Sequence, residues 1–399
     1  MKTVGTMAIH YVDNHGGVLL AYALQESVER LGYECRVIDF DPTRIPSLIR
    51  HVSRGLKRRL MRTPVYLHYF GYYAAMCIRN GVCLPPRHGH QSVGVRKTNF
   101  DCFRRRYIKL SERRYTSSES LEDSPPPYDA FVCGSDQIWN PYICKPAGEA
   151  WNERAYFLTF AAESKRVAYA PSIAIPSIPG HLREEMASML RGIPHLSVRE
   201  IHGARLIKEM TGREARVVLD PTLLLSQECW DKVAVEPGIK EPYVLAYYLG
   251  ESAEYRTFAY RLAEKARTRV VLISRVRDEG RVPHAIPRHD VGPAEFLGLI
   301  KRAECICTDS FHGTLFSINY RRPFYTFERP GSSGAKAMSS RIHSILNLCG
   351  LTAQLVQSHG VLPSDPFSLD YTGADVVLQR ERSSSLRYLR ESLESATCS

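Results

Sequence analysis

Residues 4–40 read VGTMAIHYVDNHGGVLLAYALQESVERLGYECRVIDF, and this stretch decides the fold. Residues 4–11 form an apolar run that suits a buried strand. Asp13-Asn14-His15-Gly16-Gly17 reads as a turn, after which Leu19, Leu20, Ala23, Leu24, Val28 and Leu31 recur at helical spacing. Gly32 stops that helix, and Cys35-Arg36-Val37-Ile38-Asp39-Phe40 reads as a second strand. Strand, helix and strand in this order predict a parallel, doubly wound α/β sheet.

The same grammar continues. Residues 117–127 are polar, end in three prolines and read as a loop; residues 128–133 then make a strand that runs into Gly134. Short strands are expected at 166–169, 196–198 and 216–219. Prolines and charges at 235–242 separate two patterned regions, and the alternation restarts beyond them. Strands are predicted at 243–248, 269–273 and 305–308, helices at 255–267 and 295–303, and a closing helix at 378–392. A chain of 399 residues is long for one core. The expected division is a first Rossmann-like domain over 1–235, a second over 240–370, and a C-terminal tail over 371–399.

Hydrophobic residues make up 44% and charged residues 24%, an ordinary globular balance that excludes wholesale disorder. No apolar stretch approaches the roughly 18 residues a membrane span needs, and the N-terminus lacks signal-peptide character, so a cytoplasmic enzyme is expected. Eleven cysteines are scattered, with no CxxC pair and no Cys/His cluster at metal spacing, so reduced thiols are expected and no metal site. The positive charge is concentrated. Residues 51–115 hold fifteen Lys/Arg against Asp101 and Glu112, a surplus larger than the net +11 of the whole chain. This basic insertion also carries the aromatic run 66–73 and suits amphipathic helices or a mobile loop.

Three stretches share one geometry, in which a strand ends, a small polar turn follows and a helix begins. In a doubly wound sheet such turns gather at the carboxyl edge, where ligands bind, and a helix N-terminus there favours an anion. The first holds Asn14, Gly16 and Gly17, where the backbone can approach a ligand and Asn14 can bond it or cap the helix. In the second, Gly134-Ser135-Asp136-Gln137-Ile138-Trp139, Asp136 is a candidate base, Ser135 and Gln137 candidate ligands, and Trp139 either stacks on a sugar or fills the core. The third, Thr308-Asp309-Ser310-Phe311-His312-Gly313, places His312 in the first turn of a helix, able to exchange protons near neutral pH. Asp309 is a further candidate base there, and Ser310 and Gly313 candidate anion ligands. Arg199 and Arg341 each open a helix and suit planar bonding to carboxylate or phosphate. With no GxGxxG after the first strand and no GxxxxGK[ST], dinucleotide and P-loop chemistry are disfavoured. The residues alone imply two Rossmann-like domains with an anion site between them.

At these residues the sequence resembles the polysaccharide pyruvyl transferase family. The matching stretches are Asn14-His15-Gly16-Gly17, residues 21–25 and 133–141, Tyr169-Ala170-Pro171-Ser172, Ser197-Val198-Arg199-Glu200, residues 219–225, residues 308–314 and Ser340-Arg341-Ile342. They keep the family's order across roughly residues 4–350. The resemblance implies a GT-B-like arrangement with an inter-domain cleft, its C-terminal helix returning to the first domain. It also implies phosphoenolpyruvate as donor, no further cofactor, and a glycan or lipid-linked glycan acceptor that receives a pyruvate ketal. It carries donor binding or catalysis to Arg199 and His312. There are two departures: Ser310 stands where many members have Arg, and His15 where an aromatic residue is common. Arg341 is then the candidate to supply the missing cation.

Two rival readings are a sugar-nucleotide-dependent glycosyltransferase and a nucleic-acid binder using 51–115. The second is disfavoured because the rest of the chain is near neutral and carries no nucleic-acid motif. Docking onto anionic lipid is the better use for that segment, where each cation contributes roughly 1 kcal/mol.

Overall fold

The computed structural model describes residues 1–43, 90–142, 154–250, 252–273, 285–328, 335–356 and 362–398. Strands β1 (Thr3–Met7), β2 (Glu34–Phe40), β3 (Leu110–Tyr115), β4 (Ala130–Cys133) and β5 (Arg166–Ala168) pair in the order β3-β2-β1-β4-β5, all parallel. Beyond β5, a bridge from Val167 to His195 leads to β6 (Ser197–Val198), which pairs with β7 (Arg216–Val217). A second parallel sheet contains β8 (Tyr243–Tyr247), β9 (Arg269–Ile273), β10 (Ala285–Arg288), β11 (Cys305–Thr308), β12 (Phe324–Phe327) and β13 (Leu355–Val356). Its order is β10-β9-β8-β11-β12-β13. Both sheets are therefore Rossmann-like, and each reverses its winding between the strands that open its carboxyl-edge crevice, β1 with β4 and β8 with β11.

Two local readings change. Ser118–Asp123, inside the expected loop, is a short helix, because Ser117 and Ser120 cap each other's backbone N–H groups reciprocally. Helix His15–Arg30 starts one residue after Asn14, so Gly16 and Gly17 lie in its first turn rather than in a preceding loop. Of the basic insertion, residues 51–89 lie outside the described residues. The remainder forms helix His90–Tyr107 and edge strand β3, whose outer positions carry Glu112, Arg113 and Arg114. Charges on an edge strand discourage pairing with another chain.

The domains share one apolar core. Trp230 packs between Tyr22 of the first domain and Phe316 of the second, with ring centroids 5.6 and 5.0 Å away. Asn319 donates to the carbonyls of Thr222 and Leu225 across the junction. His15 is fully buried and stacks on Phe296 at 4.7 Å, with Phe100 and Tyr247 also against its ring. This environment explains an imidazole where an aromatic side chain is common. The ring fills an aromatic slot while its nitrogens lie 3.0 Å from the Val291 carbonyl and 3.2 Å from the Tyr247 hydroxyl.

Helix Thr372–Thr397 begins on the second domain, where Tyr371 donates to the Arg322 carbonyl and Asp375 pairs with Arg321. It ends on the first, where the Tyr388 hydroxyl donates to the Ala168 carbonyl and Ser385 accepts from the Leu219 N–H. Two Rossmann-like lobes joined by a helix that returns to the first lobe make a GT-B-like arrangement. Among the described residues no helix is long and apolar enough to cross a membrane. The eight described cysteines are free thiols, with Cys305 and Cys307 buried on β11.

Candidate active site

Both switch points meet at one place. Helix Phe311–Asn319 follows β11, and the His312 imidazole on its first turn reaches across to the first turn of helix His15–Arg30. A Cβ built on Gly16 would lie 2.0 Å from His312 Nδ1, so glycine is what lets the ring seat there. Gly134, after β4, is a second obligatory glycine: its φ is +144°, and a Cβ would fall 1.8 Å from the Tyr169 carbonyl oxygen. Two residues further on, Asp136 faces Arg199.

Arg199 is the hub. Its side chain is 1% exposed, one guanidinium nitrogen donates to Asp220 Oδ2 at 2.7 Å, and the other lies 3.4 Å from Asp136 Oδ1. Glu200 Oε2 stands 3.9 Å from its Nε. Arg199 Nε, Glu200 Oε2 and His312 Nε2 are buried without a hydrogen-bond partner. Asp220 links the lobes, because His312 Nε2 lies 3.6 Å from the same Oδ2 that holds Arg199. The other oxygen of Asp220 accepts from the Thr222 N–H at 3.0 Å and the Thr222 hydroxyl at 2.7 Å, which fixes the carboxylate's orientation. Arg341, on helix Ala335–Cys349, is also buried, and its guanidinium sits 5.3 Å over the Phe311 ring that Arg199 covers at 4.5 Å. Arg341, the residue expected to replace the cation absent at Ser310, thus stands over the same ring as Arg199.

The electrostatics follow from burial opposed by charge. Burial acts to raise the Asp220 carboxyl, but the His312 imidazole beside it, then the charge of Arg199, hold it far below the usual carboxylate range. Burial likewise opposes ionisation of Asp136, yet Arg199, His312 and Arg341 keep its carboxyl below the ordinary value. Burial works against the charged form of Arg199, and Asp220, Asp136 and Glu200 more than restore it.

The remaining candidates divide. Asn14 accepts from the Gly17 N–H at 3.2 Å and Ser310 from the Gly313 N–H at 3.2 Å, so both side chains cap the two helices that converge on the site. Gly313 packs on Thr308 of β11, and a Cβ built on Gly17 would lie 3.9 Å from Asp136 Oδ2. Ser135 donates to the Ala170 carbonyl and lies 3.4 Å from Asp220 Oδ2, supporting the cluster from beneath. Two expectations are corrected. Trp139 is fully buried, stacks on Phe157 at 5.2 Å and donates to the Tyr156 carbonyl, so it has no face for a sugar. Asp309 spends both carboxylate oxygens on the N–H groups of Leu249 and Gly250, at 2.6 and 2.7 Å, and braces the loop after β8 rather than standing as a base. Gln137 accepts from Asn140 within its own turn. Asp220 and Glu200 were missed as members of the site, although both lie in stretches that carry the family resemblance.

A family described as polysaccharide pyruvyl transferase matches residues 14–330. The chain belongs to that family and is a transferase. No curated protein matches it significantly. Among solved structures it is similar to a putative UDP-N-acetylglucosamine 2-epimerase from Listeria monocytogenes, at 10% identity and a TM-score of 0.42 over 99% of this chain and 90% of the other. It is also similar to UDP-GlcNAc 2-epimerase from Neisseria meningitidis, at 9% identity and 0.41 over 99% and 94%. A third likeness is to ADP-heptose LPS heptosyltransferase II of E. coli, at 12% identity and 0.34 over 97% and 99%.

Proposed function

We propose that this transferase moves the three-carbon unit of phosphoenolpyruvate onto two hydroxyls of a glycan or lipid-linked glycan, releasing phosphate and leaving a pyruvate ketal. The observation that carries the reading is the meeting of Arg199 and His312, from different lobes, at the single oxygen Asp220 Oδ2. Phosphoenolpyruvate carries its phosphate and carboxylate on one carbon, so it needs two cations close together, and Arg199 and Arg341 share the Phe311 ring. His312, in its protonated form, delivers a proton to the methylene carbon. C2 becomes electrophilic, one sugar hydroxyl adds and returns a proton to the now neutral His312, and a second hydroxyl displaces the phosphate, which leaves with that hydroxyl's proton as the ketal closes. General acid catalysis of this kind contributes roughly 100- to 10,000-fold. Asp136, held ionised by its neighbours, is a weak base and has no proton-transfer role in this scheme.

An acceptor of this kind is used in cell-envelope or exopolysaccharide assembly, and a lipid-linked one places the enzyme at the inner membrane face as a peripheral protein.

The test is ligand stabilisation. Phosphoenolpyruvate raises the unfolding midpoint and UDP- or GDP-sugars do not, since only ligands of the native state stabilise it. The reverse pattern returns the chain to the glycosyltransferase reading. Phosphate release that depends on the acceptor then establishes turnover.

A further inference from the structure

The site displays a carboxylate to solvent where it should receive an anion. Arg199 is 1% exposed and His312 10%, whereas the Asp136 side chain is 20% exposed, the most of the ion-paired side chains around Arg199. Positive groups face it as they face Asp220. Its Oδ1 lies 3.4 Å from Arg199, its Oδ2 lies by the helix start at Gly17, and Arg341 and His312 act on it through their charge. Two further nitrogens, Arg199 Nε and His312 Nε2, are buried with their hydrogen-bonding capacity unmet. Three carboxyl groups, on Asp136, Glu200 and Asp220, surround Arg199, so the group holds no surplus positive charge for a multiply charged donor.

Resting on the donor reading for the identity of the anion but not for its charge, we propose that Asp136 is a resident counter-anion. Its carboxylate fills the anion subsite of the empty enzyme, and the incoming ligand's phosphate or carboxylate takes its place. The side chain swings aside, and Arg199 exchanges an internal partner for an external one. Asp136 is thereby a specificity-determining residue. It keeps two buried cations neutralised between turnovers and discriminates against monoanions, which replace one charge with one and gain little. The backbone supports such a role: Asp136 sits at φ +62°, and its carbonyl is fixed by the Ser172 N–H at 2.8 Å, so the side chain can move while the turn stays in place.

The experiment compares the full-length wild-type chain with Asp136→Asn and Asp136→Gly, both residues that tolerate positive φ. Binding of inorganic phosphate and of phosphoenolpyruvate is measured by calorimetry, together with the unliganded unfolding midpoint. Removing a like charge at contact range should tighten phosphate binding about tenfold or more in both variants, while the unliganded midpoint falls because the cations lose their partner. Phosphate binding that is unchanged, weaker or absent in both variants overturns the proposal. Phosphoenolpyruvate that binds wild type but binds the variants more weakly also overturns it, and leaves the donor reading standing. Tighter phosphate binding by the variants, with phosphoenolpyruvate held no better than phosphate, upholds the counter-anion and sinks phosphoenolpyruvate as the donor.

Discussion

The imidazole of His312 rests against the backbone of Gly16, so close that a Cβ at Gly16 would lie 2.0 Å from Nδ1. The two residues belong to different lobes, and their contact sets how far the second lobe's helix can approach the first. In an ordinary helix, alanine is more favourable than glycine by about 1 kcal/mol. Gly16→Ala should do the opposite here and lower the unfolding midpoint. Activity should fall roughly 100-fold, the usual consequence of misplacing a reacting group by about an ångström. Full activity with a raised midpoint would show that His312 does not depend on this seat.

His312→Gln keeps a polar side chain of similar reach but cannot deliver a proton. Acceptor-dependent phosphate release from phosphoenolpyruvate should drop roughly 100- to 10,000-fold, with phosphoenolpyruvate still raising the midpoint. A variant that turns over normally removes the imidazole from the chemistry.

Asp220 should leave its mark on acid stability. Its carboxyl is held below its ordinary 3.8 in the folded chain, so its ionisation stabilises the fold at every pH above that unfolded value. Below it the unfolded chain takes up the proton first, and the contribution disappears as pH falls towards the folded value. Denaturant midpoints measured across the acid range should therefore fall steeply for wild type. Asp220→Asn should start lower at neutral pH, by about 3–5 kcal/mol for a broken buried pair, and then run flatter. Parallel acid limbs would mean that Asp220 is not the group titrating.

Trp139 gives a clean contrast between core and ligand platform. With its ring stacked on Phe157 and its indole N–H bonded to the Tyr156 carbonyl, Trp139→Ala should cost about 3–5 kcal/mol of stability. Trp139→Phe should recover much of that loss, and the KM for acceptor should be unchanged in both. A raised acceptor KM in a Phe variant of near-native stability would put the indole back at the sugar.

What could be read from the chain follows from where its signals are strong. Residues 4–40 announce their fold because β1, the first helix and β2 are buried, and burial writes apolar periodicity into sequence. Strand β3 carries no such mark: it is an edge, and its Glu112, Arg113 and Arg114 look like any solvated loop. Helix Ser118–Asp123 rests on a reciprocal serine cap rather than on an apolar stripe. In the site, a carboxylate after a strand end looks the same whether it meets a ligand or braces a neighbouring loop, and Asp309 does the latter. Asp220 is the converse case. Before Pro221 and Thr222 it reads as a simple cap, which one of its oxygens is, while the other holds a guanidinium from 21 residues away.

The helix Thr372–Thr397 is anchored on the second lobe by Asp375 near one end and on the first by Ser385 and Tyr388 further along. A strut fastened at both ends resists wide separation of what it joins. A broad clamshell opening would require those anchors to let go. Substitutions at Asp375, Ser385 or Tyr388 would loosen that tie on one side only, leaving the helix fastened to a single lobe.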